Sequence, residues 1–302
     1  MEPFNPAQYP NPLMNDPARL TTGFKSDNYE RFMRDNFKII DKDQQPVAFE
    51  ANPAQRSLND HMEVFHNILV LKARKMGFSS DALAIGATKF LMGRNEKVIS
   101  MSFDATASGK QLARAKYYIK TYEEKNNVKI PLKYNSSNQM VWEGKVENPD
   151  GTVDHFQNIL QVGTARNTAF GRGDDITFLH LTEVSLADVY ELMAGVGEAC
   201  LPNAHKILET TAAGFNTYKQ YWDDSMMNKT GFAALFYSPL WEYSQEYIDQ
   251  KLALLGRLGP QEYPMTAEEA FLTSGEGFFD NIALRKVLES VKAWEANNVK
   301  RV

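Results

Sequence analysis

The chain has 302 residues, with 33 Lys+Arg against 38 Asp+Glu for a formal net charge of −5, and 43% of its residues are apolar. That length suits one large α/β domain with appendages, and the composition excludes a disordered tail, a coiled coil and a collagen-like fibre. No apolar run approaches the ~20 residues that span a bilayer, residues 1–10 lack the basic and apolar regions of a secretory leader, and the single Cys200 suits a reducing compartment without disulfides. The acidic total argues against constitutive, charge-driven binding of nucleic acid.

In chain order, residues 1–35 carry five of the 13 prolines (Pro3, Pro6, Pro10, Pro12, Pro17) and read as an irregular arm, with order beginning near Tyr29 to Phe37. Strand-like apolar runs follow at 68–72, 97–103, 159–162, 176–181, 206–209 and 232–236. Helical patterns lie between them at 80–92, 105–127, 186–199 and 215–228. In the second helix Leu112, Ala115, Ile119 and Tyr122 form one apolar stripe. Strands alternating with helices predict a mainly parallel sheet covered on both faces. Residues 131–158, with a turn at Asn148-Pro149-Asp150-Gly151, read as an antiparallel excursion. This divides the chain into the arm, a core over 36–255, and a peripheral subregion or linker over 256–302 that ends in a polar helix at 281–301.

The first strand runs into Lys72-Ala73-Arg74-Lys75-Met76-Gly77-Phe78-Ser79-Ser80 and then a helix. A strand, a tight turn and a helix N-terminus converge backbone N–H groups on an anion. Against G-x-x-x-x-G-K-[ST], Gly77 and Ser79 fit, Phe78 takes the lysine position and Lys72 the first glycine position. A lysine on the far side of the loop can still reach the β- and γ-phosphates, Ser79 can ligate Mg²⁺, and Arg74 can sense the γ-phosphate. The competing reading is a basic surface turn. The strand at 176–181 ends in Thr182-Glu183, an apolar strand delivering an acid beside the loop, with Thr182 where a first acid is usual. Glu183 there can orient and deprotonate water, and the Thr182 hydroxyl can hold a magnesium-bound water. A buried strand meeting a capped helix at Ser185 is the alternative. Glu209-Thr210-Thr211 ends a third strand, where helicase-like motors relay loss of the γ-phosphate. Upstream, Gln55 has the amide chemistry to read both adenine edges. Paired acids Asp174-Asp175 and Asp223-Asp224 read as solvated turns, and the five histidines have no zinc spacing.

The series Gln55, Lys72 to Ser79, Leu179-His180-Leu181-Thr182-Glu183 and Glu209 to Gly214, with the late stretch Glu262-Tyr263-Pro264 to Gly275 and Phe278-Phe279, resembles the ATPase half of the large terminase subunit of tailed bacteriophages over about residues 45–280. The resemblance implies a RecA-like P-loop α/β core and ATP hydrolysis with Mg²⁺. It also implies translocation of double-stranded DNA into a procapsid in the host cytoplasm, with portal protein, terminase small subunit and further copies of the chain as partners. It assigns phosphate binding to Lys72, Arg74, Lys75, Met76, Gly77, Phe78, Ser79 and Ser80, adenine to Gln55, magnesium to Ser79 and Thr182, water activation to Glu183, and coupling to Thr210 and Thr211. Residues 105–133 carry a net +5, leaving −10 for the remainder. Within them Arg114 is the first candidate for an arginine completing a neighbour's site, with Arg166 and Arg172 as competitors. The chain ends 23 residues after Phe279, so no nuclease activity is expected from it. A helicase-like motor and a weakly hydrolytic nucleotide-binding module docked on a portal are the alternatives.

Overall fold

The computed structural model describes residues 23–147, 150–167, 170–171, 173–272 and positions 287, 290, 291 and 294. The alternating apolar runs build one eight-stranded sheet. Its strands are β3 (Asn67–Lys72), β4 (Lys97–Ser102), β5 (Leu132–Asn135), β6 (Gln139–Glu147), β7 (Val153–Thr164), β8 (Ile176–Thr182), β9 (Cys200–Thr210) and β10 (Ala233–Tyr237). They lie in the order β10-β3-β9-β8-β4-β7-β6-β5. From β10 to β7 every neighbouring pair is parallel, and β7-β6-β5 is the expected antiparallel excursion. A small antiparallel pair, β1 (Lys38–Ile40) and β2 (Pro46–Ala48), precedes the sheet.

The parallel strands are apolar on both faces because helices cover both. In β3, Ile68 and Val70 join one buried cluster while Leu69 and Leu71 join the other. The first face is covered by α1 (Ser26–Asn36), α2 (Pro53–Met62), α3 (Phe78–Met92) and α4 (Ala105–Asn126). Helix α3 is buried nearly all round, and Gly86 lets it lie close on the sheet: a Cβ there would meet Val98 Cγ1 at 2.9 Å. In α4 the stripe of Leu112, Ala115 and Ile119 is buried and Tyr122 is half-buried against the same cluster. The second face carries α6 (Thr217–Met226) and α9 (Ala267–Leu272), whose Ala270 and Phe271 are buried. Phe271 sits 6.1 Å from the Tyr218 ring and 6.2 Å from the Trp222 ring. The subregion after Gly256, expected at the periphery, therefore joins the core through α9. Between them in the chain come α7 (Gln245–Leu255) and α8 (Gly259–Glu262), and Glu262 of α8 pairs with Arg74 on the loop that follows β3.

One expected helix differs. Residues 186–199 form only a short α5 (Val189–Leu192), followed by a single π turn over Met193–Gly197, and β9 then begins at Cys200, earlier than the apolar run suggested. Gly195 and Gly197 disfavour a continuous helix there. The proline-rich arm to residue 22, Asn148, Pro149, Arg172, Gly275, Phe278, Phe279 and most of the expected C-terminal helix lie outside the described residues. Among the described residues, no helix is long and apolar enough to cross a membrane.

Candidate nucleotide site

Parallel pairing brings the carboxyl ends of β3, β8 and β9 to one edge, which is where ligands bind in open α/β sheets. The loop leaving β3 is held from outside by its carbonyls. Tyr243 Oη donates to the Lys75 carbonyl at 2.8 Å, Asn52 Nδ2 to Met76 at 3.1 Å, and Gln55 Nε2 to Gly77 at 2.8 Å. Arg74 is tied on both sides to Glu262, its N–H to the carbonyl at 3.0 Å and its guanidinium to the carboxylate at 3.1 Å. Asn52 and Gln55 are fixed in turn by a reciprocal capping box at the start of α2.

With the carbonyls engaged outward, the N–H groups of Lys75, Met76, Gly77, Phe78 and Ser79 donate to no protein acceptor among the described residues. Lys75 and Gly77 have φ of 60° and 82°, the left-handed conformations that curl successive amides into an anion-binding concavity. A Cβ on Gly77 would also stand 2.6 Å from Gln55 Nε2, so the turn needs glycine twice over. The Met76 and Phe78 side chains are buried in the core, Phe78 4.8 Å from the Tyr237 ring, and offer the loop only their backbones. Ser80 lies in the first turn of α3, and its carbonyl accepts from Tyr118 Oη at 3.2 Å.

The loop faces a buried cluster. Lys72 Nζ lies 3.3 Å from Glu209 Oε2, and Ser79 Oγ donates to Glu209 Oε1. Ser79 Oγ is also 3.4 Å from Thr182 Oγ1, and His180 Nε2 is 3.2 Å from Glu209 Oε1. On its other side His180 Nδ1 sits 2.8 Å from Ser100 Oγ, which donates to Gln111 at 3.0 Å. Glu209 is fully buried. Burial alone would raise its pKa, but the Lys72 ammonium, His180 and Ser79 outweigh burial and hold the carboxyl well below the ordinary glutamate range. An ammonium, a hydroxyl, a buried carboxylate and free amides together form a donor set that fits a magnesium nucleotide.

Glu183 follows Thr182 with φ 58° and ψ 35°. Its side chain is exposed and makes no hydrogen bond or ion pair among the described residues. The segment after β9 is wired to the segment after β8. Thr210 Oγ1 is 2.7 Å from Ser185 Oγ, which donates to the Thr211 carbonyl at 2.8 Å. Asn216 Nδ2, at the N-terminus of α6, donates to the Ser185 carbonyl at 2.6 Å.

Of the predicted site residues, Lys72, Ser79, Thr182, Thr210 and the loop come together at this edge. Gln55 lies beside them, yet both ends of its amide are engaged, Oε1 by the Asn52 N–H at 2.8 Å and Nε2 by Gly77. Reading adenine would require releasing those bonds. The basic segment 105–133 is less free than its charge suggests. Lys129 pairs with Glu123, Lys120 with Glu124 and Lys133 with Glu143, while Lys116 and Lys125 donate to backbone carbonyls. Lys110 and Arg114, one turn apart on α4, keep no ion pair or hydrogen bond among the described residues. Arg166 lies just beyond β7, its guanidinium 4.5 Å over the Phe103 ring.

The fold, though not the side chains of the site, is matched in known structures. The ATPase domain of the Thermus phage P74-26 large terminase aligns with a TM-score of 0.54 at 12% identity, over 68% of this chain and 90% of that one. An arginine-to-alanine variant of that domain gives 0.55 at 11% over the same shares. The fold is that of the large terminase ATPase domains. The HK97 bacteriophage large terminase agrees, with a TM-score of 0.54 at 13% identity over 82% of this chain, which spans half of that protein's length. No family model matches the sequence, and no curated protein matches it. At such identities the terminase ATPase fold is what is shared, and chemistry has to be argued from the side chains.

Sequence reasoning missed the roles of Glu209, His180, Asn52 and Tyr243. Asn52-Pro53-Ala54-Gln55 is a legible capping box. Nothing local marks Tyr243 or Glu209, because their partners are distant in the chain.

Proposed function

We propose that this chain is an ATP-hydrolysing motor that moves double-stranded DNA, working as a ring of copies with a portal protein and a small terminase subunit to fill a viral procapsid. The observation that carries the ATPase reading is the run of unpartnered amides from Lys75 to Ser79 curled beside Lys72 and Ser79. Those amides and Lys72 bind the phosphates, and Arg74, which pairs with Glu262, senses loss of the γ-phosphate. Bound Mg²⁺, held on the Ser79 and Thr182 side, supplies neutralisation of the phosphate oxygens. Glu183, exposed and unpaired at the end of β8, orients a water and takes its proton as oxygen bonds to the γ-phosphorus and ADP departs. The Thr210–Ser185–Asn216 chain links that event to α6. Gln55 acts by holding the loop. Arg114 or Arg166 from a neighbouring copy adds charge stabilisation.

The test is phosphate release by the whole chain, measured without DNA, with double-stranded DNA and with single-stranded DNA across protein concentration. Turnover stimulated by double-stranded DNA and rising per subunit with concentration is expected. Stimulation by single strands alone would favour a helicase-like motor, and nucleotide binding without turnover at any concentration would favour a docking module. Either result overturns the packaging reading.

A further inference from the structure

We propose that Glu209 is the magnesium-side carboxylate of this site, moved one strand across from the position on β8 where Thr182 stands. The inference rests on the site being a nucleotide site, as argued above, and goes beyond it by naming an acid that the β8 pattern does not supply. In P-loop enzymes the ion is held by the loop hydroxyl and an acid of the Walker B strand, which β8 represents here. Here the loop hydroxyl, Ser79 Oγ, makes its carboxylate bond to Glu209 Oε1 and reaches Thr182 Oγ1 only at 3.4 Å. Thr182 and Glu209 are register partners across β8 and β9. Exchanging a carboxylate between them therefore displaces it by about one strand spacing, ~4.8 Å, within the same row of the sheet. The longer glutamate side chain on β9 covers part of that offset.

Charge balance points the same way. Glu209 is fully buried, and its Oε2 has no hydrogen-bond partner, only the Lys72 ammonium at 3.3 Å. A buried carboxylate with no counter-charge is strongly unfavourable. Once Lys72 serves the phosphates, Glu209 requires another cation, and a divalent ion on Ser79 satisfies it. His180, anchored through Ser100 to Gln111, holds the other oxygen in place. Nucleotide and ion are thereby linked: Lys72 is released to the phosphates most readily when the ion replaces it.

The experiment is calorimetric titration of the whole chain with ADP and with a slowly hydrolysed ATP analogue, each in Mg²⁺ and in EDTA. The wild-type chain should bind more tightly in Mg²⁺. Glu209→Gln should lose that gain, a fall of about 10–100-fold in Mg²⁺ alone, as seen when groups supporting a bound metal are removed. Its affinity in EDTA should stay level or rise, because Lys72 is freed. Thr182→Asp in the Glu209→Gln background should restore the gain by returning the acid to β8. Circular dichroism and thermal melting verify folding. If Glu209→Gln alone does not fold, the double variant is read by itself: recovery of the wild-type Mg²⁺ gain supports the exchange and its absence overturns it. A Glu209→Gln chain that folds and keeps the full gain also overturns the inference while leaving the nucleotide site intact. A wild-type chain that binds neither nucleotide in either buffer instead overturns the site reading itself.

Discussion

Lys72 does two jobs, and its removal should show both. Its ammonium is the counter-charge for a fully buried carboxylate, so Lys72→Ala should abolish turnover and also destabilise the fold by about 3–5 kcal/mol at neutral pH. The pH dependence follows from the depressed pKa of Glu209. A carboxyl that is more acidic in the folded chain contributes stability above its ordinary value of 4.5, and that contribution is lost as pH falls below 4.5. Urea denaturation at pH 7 and pH 4 should therefore show a wide gap between wild type and Lys72→Ala that narrows at the lower pH. Glu183 is the opposite kind of residue. Its side chain is exposed and makes no hydrogen bond or ion pair among the described residues, so Glu183→Gln should leave stability within about 0.5 kcal/mol. Hydrolysis should fall by about 10²–10⁴-fold with nucleotide still bound. Wild-type turnover in Glu183→Gln, followed by phosphate release, would remove it from the mechanism.

At the scale of elements, the phosphate loop is shaped by its neighbours. Helix α2 reaches it through Asn52 and Gln55, and Tyr243, just before α7, reaches it from the other side. Gln55→Ala breaks both the capping box and the bond to the Gly77 carbonyl. The expected cost is about 1–3 kcal/mol of stability, together with weaker nucleotide binding in Mg²⁺ and in EDTA alike. That pattern separates Gln55 from Glu209, whose loss should act in Mg²⁺ alone. If Gln55→Ala instead changed only the preference for adenine over other bases, measured by competition between ATP and GTP, the amide would be reading the base and not the loop. The capping box was legible because it is local. The break in the expected helix at 186–199 was not, because the apolar pattern runs on through Gly195 and Gly197 while the chain turns there to begin β9.

Across the whole molecule, the late segment is part of the domain. Phe271 packs against both Tyr218 and Trp222 beneath the sheet, and Glu262 holds Arg74 on the phosphate loop. Phe271→Ala should cost about 3–5 kcal/mol in chemical denaturation. An unchanged midpoint would mean that α9 folds independently of the sheet. The overall charge also resolves into local balance. Most of the basic residues on and after α4 are paired with nearby acids or carbonyls, which leaves Lys110 and Arg114 as the unpaired cations of that helix among the described residues.

The sequence by itself determined the alternation of strand and helix, the loop after Lys72, the acid after Thr182 and the hydroxyl pair at Thr210-Thr211. All of these are written in short-range periodicity and turn chemistry, where a few consecutive residues set the local conformation. Only the tertiary structure decided what Lys72 and Ser79 face. That depends on β9 being inserted between β3 and β8 and on the register that sets Glu209 opposite Thr182. Strands buried on both faces carry no alternation from which a neighbour or a register can be read, so the packing of helices on the two faces selects both.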